Sequence, residues 1–543
     1  MKTNEKEAGR LMRERDVDSL RRLYRNGGMT RREFVSALVN LGIGISVAGT
    51  IVAGTPVVEA ATPRHGGHVR AAGGTQGPDD TLDPAKFKSS IDYCRGEQFY
   101  NGLTRINGKL EAEGELAESW EPDPSAQEWT FRLRKGVEFH NGKSLEAADV
   151  IYSIRRILDG SVASGARVLV KQIKEIKADD KNTVRFKLAD PNADFPIVLG
   201  LHNLKILPDG WTDFSTAMGT GPFTVKEFKP GVRSVGVRFT NYWDDDKPYL
   251  DEIEWFAISD PVARINALLA GDVQLLGGVD AEAAPMVERA PGVRLVTTPS
   301  GQFVEMVMMC DRPPGENDDF RTAIKYLMQR EDVVKRLFHG HARIGNDTPI
   351  APSDPFYCDD IPIRPFDPDK ARFHLKKAGM EGANVQVFSA PGAGRGATEL
   401  ALMVRQAASK IGLNVEVKQV PSDGYWSTTW MHQPIFMAGW NPRPTADIML
   451  TLAFKSDSPW NETHWHNDHF DELLKRGRGE LDHSKRKQIY CEAQRLIHDT
   501  GGCALPAFFD YVDGMSDKVK GFEKIPLGPL AAGQWPKQIW LEG

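Results

Sequence analysis

The first clear pattern of apolar and polar positions in this chain is an alternation with a period of two. Every second side chain is apolar across residues 129–134, and the same alternation returns across 183–188. This period is typical of a β-strand with one buried face. Between the two, Ser144 stands where a helix N-cap is expected, and residues 150–158 carry an apolar stripe at helical spacing. The region therefore predicts one-faced strands around an amphipathic helix.

The second half of the chain follows a different pattern, in which predicted strands and helices alternate. Asp367 and Gly379 stand at the N-terminal and C-terminal caps of one predicted helix. A strand at 385–388, a helix at 397–411 and a strand at 415–420 follow it. A strand, helix and strand in this order predict a βαβ unit and a parallel sheet. The two halves thus predict an α/β protein of more than one domain, as 543 residues also suggest.

The N-terminus resembles a twin-arginine export signal. Arg31 and Arg32 precede a run free of Lys and Arg at 34–58, and small residues lead to Ala60. Cleavage is expected after Ala60, and the twin-arginine translocase is the expected export partner. The protein would then fold before it is exported. A retained membrane anchor is the alternative, since the run is long enough to cross a bilayer.

Charge separates the signal from the rest of the chain. Residues 1–60 hold ten Lys or Arg and seven Asp or Glu, so the remaining 58 basic and 67 acidic residues give a net charge of −9. An acidic chain without a basic block argues against a nucleic-acid partner.

The five cysteines show no CxxC spacing and so no strong zinc or redox signature. In an oxidising compartment, Cys310 with Cys358 or Cys491 with Cys503 are the candidate disulfides, although five buried thiols are an equal alternative. The GxSxG, HExxH and P-loop motifs are also absent from the sequence. No signature of catalysis or of a cofactor site is present.

Four motifs resemble the family of extracytoplasmic solute-binding proteins, family 5, that serve peptide, nickel and opine ABC importers. They occur in the family's order at 116–158, 219–231, 239–243 and 318–334. The resemblance runs from about Gly66 to the C-terminus.

This resemblance implies an α/β, two-lobed periplasmic-binding-protein clamshell of the type II kind, with an additional subdomain. Lobe I is expected at 61–300 with 508–543, its inserted subdomain at about 106–215, and lobe II at 301–507. The resemblance also implies a periplasmic monomer without catalysis or cofactor. Such a protein hands a solute to the transmembrane subunits of an ABC permease.

The best candidate for ligand contact is the segment 434–447, where an apolar strand runs into a loop with Trp440, Arg443 and Asp447. In peptide-binding members of the family, an aspartate after the Gly-Trp pair holds the α-amino group. The matching position here is Arg443, which would repel an ammonium and pair with a carboxylate or phosphate. Two alternatives stay open: Arg443 is an ordinary loop residue paired with Asp447, or Asp447 takes over the amine.

Further candidates come from the start of the second lobe and from family position. Phe303 and Glu305 share one face of a predicted strand, for which ordinary packing is the alternative. Tyr100 and Asn101 are candidates by family position, as is Trp243, for which a core role is favoured.

His464, His466 and His469 suggest a metal site, but their spacing does not align them on one helix face. A secreted metal-dependent hydrolase built on them is one alternative function, and a chemosensory binding protein is another. The solute is left open between a peptide and an acidic compound such as an opine.

Overall fold

A computed structural model describes residues 62–74 and 77–543. The expected signal at 1–60 lies outside the described residues. Among the helices described there, none combines the length and apolar character that crossing a bilayer requires.

Two long strands, β12 (Val293–Met308) and β18 (Ala507–Ser516), connect two parts of the structure. We call the described chain before β12 and after β18 the first lobe, and the segments between these strands the second lobe. The strands preceding β12 are β1 (His68–Gly73), β2 (Thr104–Ile106), β3 (Ala112–Gly114), β4 (Ala117–Pro122), β5 (Glu128–Leu133), β6 (Ile173–Asp180), β7 (Thr183–Leu188), β8 (Phe223–Lys229), β9 (Arg233–Arg238), β10 (Glu252–Ala257) and β11 (Leu275–Leu276). The others are β12 (Val293–Met308), β13 (Ala342–Ile344), β14 (Asn384–Ser389), β15 (Asn414–Gln419), β16 (Ile435–Trp440), β17 (Cys503–Ala504), β18 (Ala507–Ser516), β19 (Val519–Lys520) and β20 (Trp540–Leu541).

The longer helices pack against these strands or against one another. They are Ser90–Phe99, Ala147–Leu158, Pro261–Leu269, Asp318–Tyr326, Pro368–Lys377, Ala397–Ser409, Ala446–Phe454, Asp468–Gly479 and His483–Thr500.

One sheet runs through both lobes in the order β15-β14-β16-β12-β18-β11-β1-β10-β9-β8. Its centre is the antiparallel pair β12–β18, whose register shifts between Thr298 and Gln302. An irregular pair of strands that enters both lobes is a structure that can bend without unfolding either one.

The predicted βαβ unit is confirmed. The strands β14 and β15, which precede and follow the helix Ala397–Ser409 in the chain, pair in parallel. The helix before it begins at Asp367, whose carboxylate accepts the Lys370 N–H at 2.9 Å. Gly379 follows that helix with a φ of 68°, as a C-terminal cap requires.

The one-faced strands are confirmed as β5 and β7, which lie in the antiparallel sheet β4-β5-β7-β6 beneath the helix Ala147–Leu158. The predicted N-cap of that helix was wrong. Ser144 forms an isolated bridge with Glu138, and the cap is Glu146. Asp149 explains the difference, because its carboxylate accepts the Glu146 N–H at 2.8 Å and closes the first turn.

The first lobe is completed by the two ends of the described chain. Val69 of β1 shares a core with Trp255, Trp535 and Ile539, and the two indole rings are 5.7 Å apart. Nearby, the buried Lys537 ammonium donates a hydrogen bond to Glu97 at 2.7 Å. The C-terminal segment is therefore part of the interior of the first lobe.

The disulfide joins Cys358 to Cys491, so both candidate pairings from the sequence were wrong. Cys491 lies on the helix His483–Thr500, and its Cα is 4.8 Å from that of Cys358, which lies in the loop between β13 and the helix Pro368–Lys377. Cys503 lies instead on β17, where its thiol donates to the Asp347 carbonyl at 3.4 Å.

Candidate functional site

A cavity of about 690 Å³ lies between the lobes. The first lobe contributes Lys88, Ser90, Tyr93, His202, Gly278, Val279, the turn 527–529 and 532–533 to its walls. Gln302 and Phe303 of β12, residues 509–512 of β18, and residues 392–395, Trp426 and 439–443 of the second lobe form the other walls. Aromatic and charged side chains therefore meet in one space, as in a site for a small polar solute.

Trp440 and Phe303 are brought together by strand pairing. Trp440 ends β16 and stands opposite Phe303 of β12. The ring of Phe303 is fully buried and packs edge-on against Phe508 at 5.7 Å. Trp440 is 7% exposed, and Trp426 adds a second, half-exposed indole to the same cavity. This side of the cavity is an aromatic wall.

Arg443 follows β16 and lies at the cavity without an acidic partner. Its guanidinium carbon is 5.4 Å from the centre of the Trp440 ring. Its Nη1 donates to the carbonyls of Asn441 at 3.2 Å and Pro442 at 3.4 Å. Within the described part of the chain, no Asp or Glu carboxylate lies within 4.0 Å of this guanidinium. Burial lowers the pKa of Arg443, while the hydroxyls of Tyr511 and Tyr93 act in the opposite direction.

Asp447 does not line this cavity. It lies in the first turn of the helix Ala446–Phe454, is 5% exposed, and accepts a hydrogen bond from Arg478 Nε at 2.9 Å. The Tyr490 hydroxyl is 3.3 Å from its other oxygen. Burial raises the pKa of Asp447, and Arg478 opposes that rise. The alternative pairing of Arg443 with Asp447 is therefore not formed.

Another arginine of the second lobe crosses the mouth of the cavity. Arg395 Nη2 lies 2.9 Å from Asp280 Oδ1 of the first lobe, and both side chains are partly exposed. On the first-lobe wall, the His202 ring stacks on Tyr93 with ring centres 4.6 Å apart, and its Nδ1 lies 3.2 Å from Glu97 Oε1.

A turn of three non-glycine residues in the left-handed conformation forms part of the first-lobe wall. The sequence does not predict this turn. Leu530, Ala531 and Ala532 have φ values of 51°, 55° and 50°, a conformation that costs about 1–2 kcal/mol for each L-residue. The buried Asp513 carboxylate holds the turn, because it accepts the N–H groups of Leu530 at 2.7 Å and Gly278 at 3.1 Å. Burial raises the pKa of Asp513 to about 7, although both hydrogen bonds lower it.

Tyr100 and Asn101 are fully buried and lie away from the cavity walls. The Tyr100 hydroxyl donates to the Leu82 carbonyl at 2.7 Å. The Asn101 amide donates to Glu115 at 2.6 Å, and its oxygen accepts the Trp243 indole N–H at 3.1 Å. Asn101, Glu115 and Trp243 therefore form a polar network inside the first lobe.

Glu305 lies below the aromatic wall and is 1% exposed. It faces a second buried acid, Glu462, which the sequence analysis missed. Burial, the neighbouring Glu462 charge and a hydrogen bond to that residue raise the pKa of Glu305 well above its usual range. Glu462 is in an irregular loop without a motif, so only the structure reveals that it contacts the wall.

The three histidines of the loop and helix around residue 466 do not converge. His464 lies 2.8 Å from Asp311, His466 lies 3.1 Å from Asp468, and His469 lies 2.7 Å from Glu492. Among residues 62–74 and 77–543, no cluster of three or more His, Cys, Asp or Glu is arranged to hold a metal ion.

Comparison with known proteins identifies one family. Residues 111–462 match the family model described as bacterial extracellular solute-binding proteins, family 5 Middle. The dipeptide-binding protein of Escherichia coli (strain K12) is 25% identical over 493 residues, which cover 84% of this chain and 92% of that protein.

Two solved structures share the fold. HbpA2 from Haemophilus parasuis superimposes with a TM-score of 0.80 at 21% identity, covering 88% of this chain and 100% of that one. The periplasmic binding protein DppA from Helicobacter pylori, in complex with the peptide STSA, gives a TM-score of 0.71 at 25% identity, covering 88% and 99%. Both correspond to the two-lobed architecture described above.

Proposed function

Because the chain belongs to family 5 of the bacterial extracellular solute-binding proteins, the binding components of ABC importers, we propose that its inter-lobe cavity captures a solute that carries a carboxylate. A peptide-like or opine-like compound satisfies this requirement. The protein would release the solute chemically unaltered to the membrane permease.

The observation that carries the proposal is Arg443. Its guanidinium is half-buried, stacks on Trp440 and has no carboxylate partner among the described residues. A partly desolvated charge is stabilised when an opposite charge joins it. A carboxylate can accept two parallel N–H bonds from a guanidinium, whereas an ammonium would be repelled. The cavity therefore favours the acidic end of a solute at this position.

The size and walls of the cavity agree with a small solute. Ligand pockets commonly measure about 300–1,000 Å³, and this cavity of about 690 Å³ lies within that range. The aromatic wall supplies apolar contact area, and Arg443 orients the solute by pairing with its carboxylate. Phe303, Trp440 and Arg443 are thus the candidates from the sequence that we retain as ligand contacts.

Several further features rest on the sequence and on family membership. We propose that the chain is exported through the twin-arginine route, is cleaved after Ala60, acts as a periplasmic monomer and catalyses no reaction of its own. The lobe bounds at 61–300 with 508–543 and at 301–507, with the subdomain at about 106–215, belong to the same proposal. The crossing of β12 and β18 between the lobes supports it.

The test combines identification of the solute with a single substitution. Native mass spectrometry of protein isolated from its own periplasm would weigh any retained solute. Calorimetry would then compare carboxylate-bearing compounds, including dipeptides and glutathione, with their amides. Arg443→Ala should weaken binding of the acids by about 1.5–3 kcal/mol, the contribution of a charge-assisted hydrogen bond.

Arg405→Ala is the matched control, because Arg405 is exposed on the helix Ala397–Ser409. If acids and amides bind with equal affinity, or if Arg443→Ala leaves the affinity unchanged, the solute does not bind through a carboxylate at Arg443.

A further inference from the structure

Glu462 accepts hydrogen bonds from two indole rings at once. Its Oε1 accepts the Trp440 N–H at 2.7 Å, and its Oε2 accepts the N–H of Trp430. The carboxylate is 2% exposed, so water contributes little to this arrangement. Two buried donors converge on one acidic side chain.

The loop that carries Glu462 is held in place on both sides. The Asn461 amide donates to the Trp465 carbonyl at 2.7 Å. The Thr463 carbonyl accepts the N–H of Cys310, just beyond β12, at 2.7 Å. Glu462 is therefore a fixed acceptor under the aromatic wall.

The indole rings around this carboxylate form a connected cluster. Trp440 packs against Trp460 with ring centres 5.9 Å apart, Trp460 against Trp430 at 6.4 Å, and Trp430 against Trp426 at 5.8 Å. Trp440 and Trp426 both line the cavity. The orientation of this wall thus depends on groups that lie outside the cavity.

Only a carboxylate can satisfy both indoles. An ionised glutamate presents acceptors alone, whereas a glutamine presents an NH₂ group that would face one of the two N–H donors. Glu305 lies beside Glu462, and its Oε2 is buried without a hydrogen-bond partner among the described residues. Two adjacent charges in a buried site are unfavourable. A protonated, neutral Glu305 avoids this repulsion and leaves Glu462 ionised.

We propose that Glu462 is the positioning residue of the cavity: it fixes the ring of Trp440 and, through that ring, the direction of the Arg443 guanidinium. Arg443 stacks on the Trp440 ring, and a ring that is free to rotate would not hold the guanidinium in one direction. The inference extends the proposed function, because its effect on affinity rests on a carboxylate bound at Arg443.

The experiment uses the mature exported protein, labelled with 5-fluorotryptophan and followed by ¹⁹F NMR. Trp440→Phe and Trp430→Phe assign the two resonances. Glu462→Gln should shift both of them and should lower the affinity for glutathione about tenfold or more. Glu472→Gln makes the same charge change on an exposed helix position and should alter neither.

Glu305→Gln separates positioning from a general loss of packing. It keeps a neutral hydrogen-bonding group beside Glu462, so its effect on both resonances and on affinity should be smaller than that of Glu462→Gln. If Glu462→Gln does not fold, Trp440→Phe removes the same hydrogen bond from the other side and should weaken glutathione binding.

An unchanged Trp440 resonance in Glu462→Gln, or a shifted resonance with unchanged affinity, overturns the inference. If glutathione and the dipeptides fail to bind the unsubstituted protein, the proposed carboxylate ligand has failed. The resonance shift still decides whether Glu462 holds the Trp440 ring.

Discussion

Among the described residues, two arginine–carboxylate contacts join the lobes, and they differ in almost every physical respect. Arg486 of the second lobe donates two hydrogen bonds to Asp194 of the first lobe, at 2.5 and 2.6 Å, and both side chains are less than a tenth exposed. Arg395 makes one contact of 2.9 Å with Asp280 at the cavity mouth, where the side chains are 37% and 58% exposed. One contact is part of the interior, and the other is in solvent.

The difference indicates separate roles for the two contacts. A buried pair is held by geometry and by the high free energy of leaving either charge alone. An exposed pair contributes little and weakens with salt. Arg486–Asp194 therefore behaves as a permanent joint between the lobes, and Arg395–Asp280 as a contact that can open when a solute enters.

The largest expected effect follows from removing one side of the buried joint. Asp194→Ala leaves the Arg486 guanidinium buried without its acid, and the free energy of unfolding should fall by about 3–5 kcal/mol. Urea denaturation followed by circular dichroism measures this change.

A double substitution of the same pair, Asp194→Leu with Arg486→Met, removes both charges together. It should recover most of the lost stability, because an apolar pair of similar volume often replaces a buried ion pair without net loss. A double variant as unstable as Asp194→Ala would show that the site depends on shape and not on charge.

A smaller effect concerns pH, because a second acid, Asp354, lies beside the buried joint. Burial raises the pKa of Asp354 to about 7; the Asp194 charge adds to this rise, and Arg486 opposes it. The folded protein thus keeps a proton that an unfolded aspartate releases near pH 4. The stabilisation that this proton provides is complete below about pH 4 and is lost as the pH rises through about 7.

Asp354→Asn should therefore reduce the fall in unfolding free energy between pH 4 and 7 relative to the unsubstituted protein. Denaturation at several pH values measures the slope. Arg395→Ala serves as the comparison and should keep the original slope. Identical slopes in Asp354→Asn and the unsubstituted protein would contradict the assignment.

The smallest expected change in stability belongs to the exposed contact. Asp280→Ala should alter the free energy of unfolding by at most about 1 kcal/mol. Its effect should instead be seen by small-angle scattering of the ligand-free protein, as a larger average radius at low salt. A loss of stability equal to that of Asp194→Ala would abolish the distinction between the two contacts.

Sequence analysis succeeded where local signals determine the structure. The alternation at β5 and β7, the Asp367 cap and the βαβ unit around the helix Ala397–Ser409 all depend on residues close together in the chain. Trp440 and Arg443 are candidates because a strand that runs into a loop carries its own pattern, and Phe303 is one because it lies on one face of a predicted strand at the start of the second lobe.

The remaining features depend on distant parts of the chain. Asp194 and Arg486 are 292 positions apart, and Cys358 and Cys491 are separated by 133. Glu462 lies in a loop with no periodicity, and its role depends on two indole donors that reach it only after folding. Asp447 is a ligand candidate in the sequence because it is a charge in a loop region, but the sequence does not show that Asp447 is buried and paired with Arg478.

The C-terminal segment, finally, has a consequence for how the protein is made. Since Trp535 and Ile539 complete the core that begins at Val69, the lobe that is synthesised first is the last to be finished. This lobe cannot complete its core until Trp535 and Ile539 have left the ribosome. A chain that lacks these two side chains would expose apolar surface of the first lobe, which chaperones and proteases recognise.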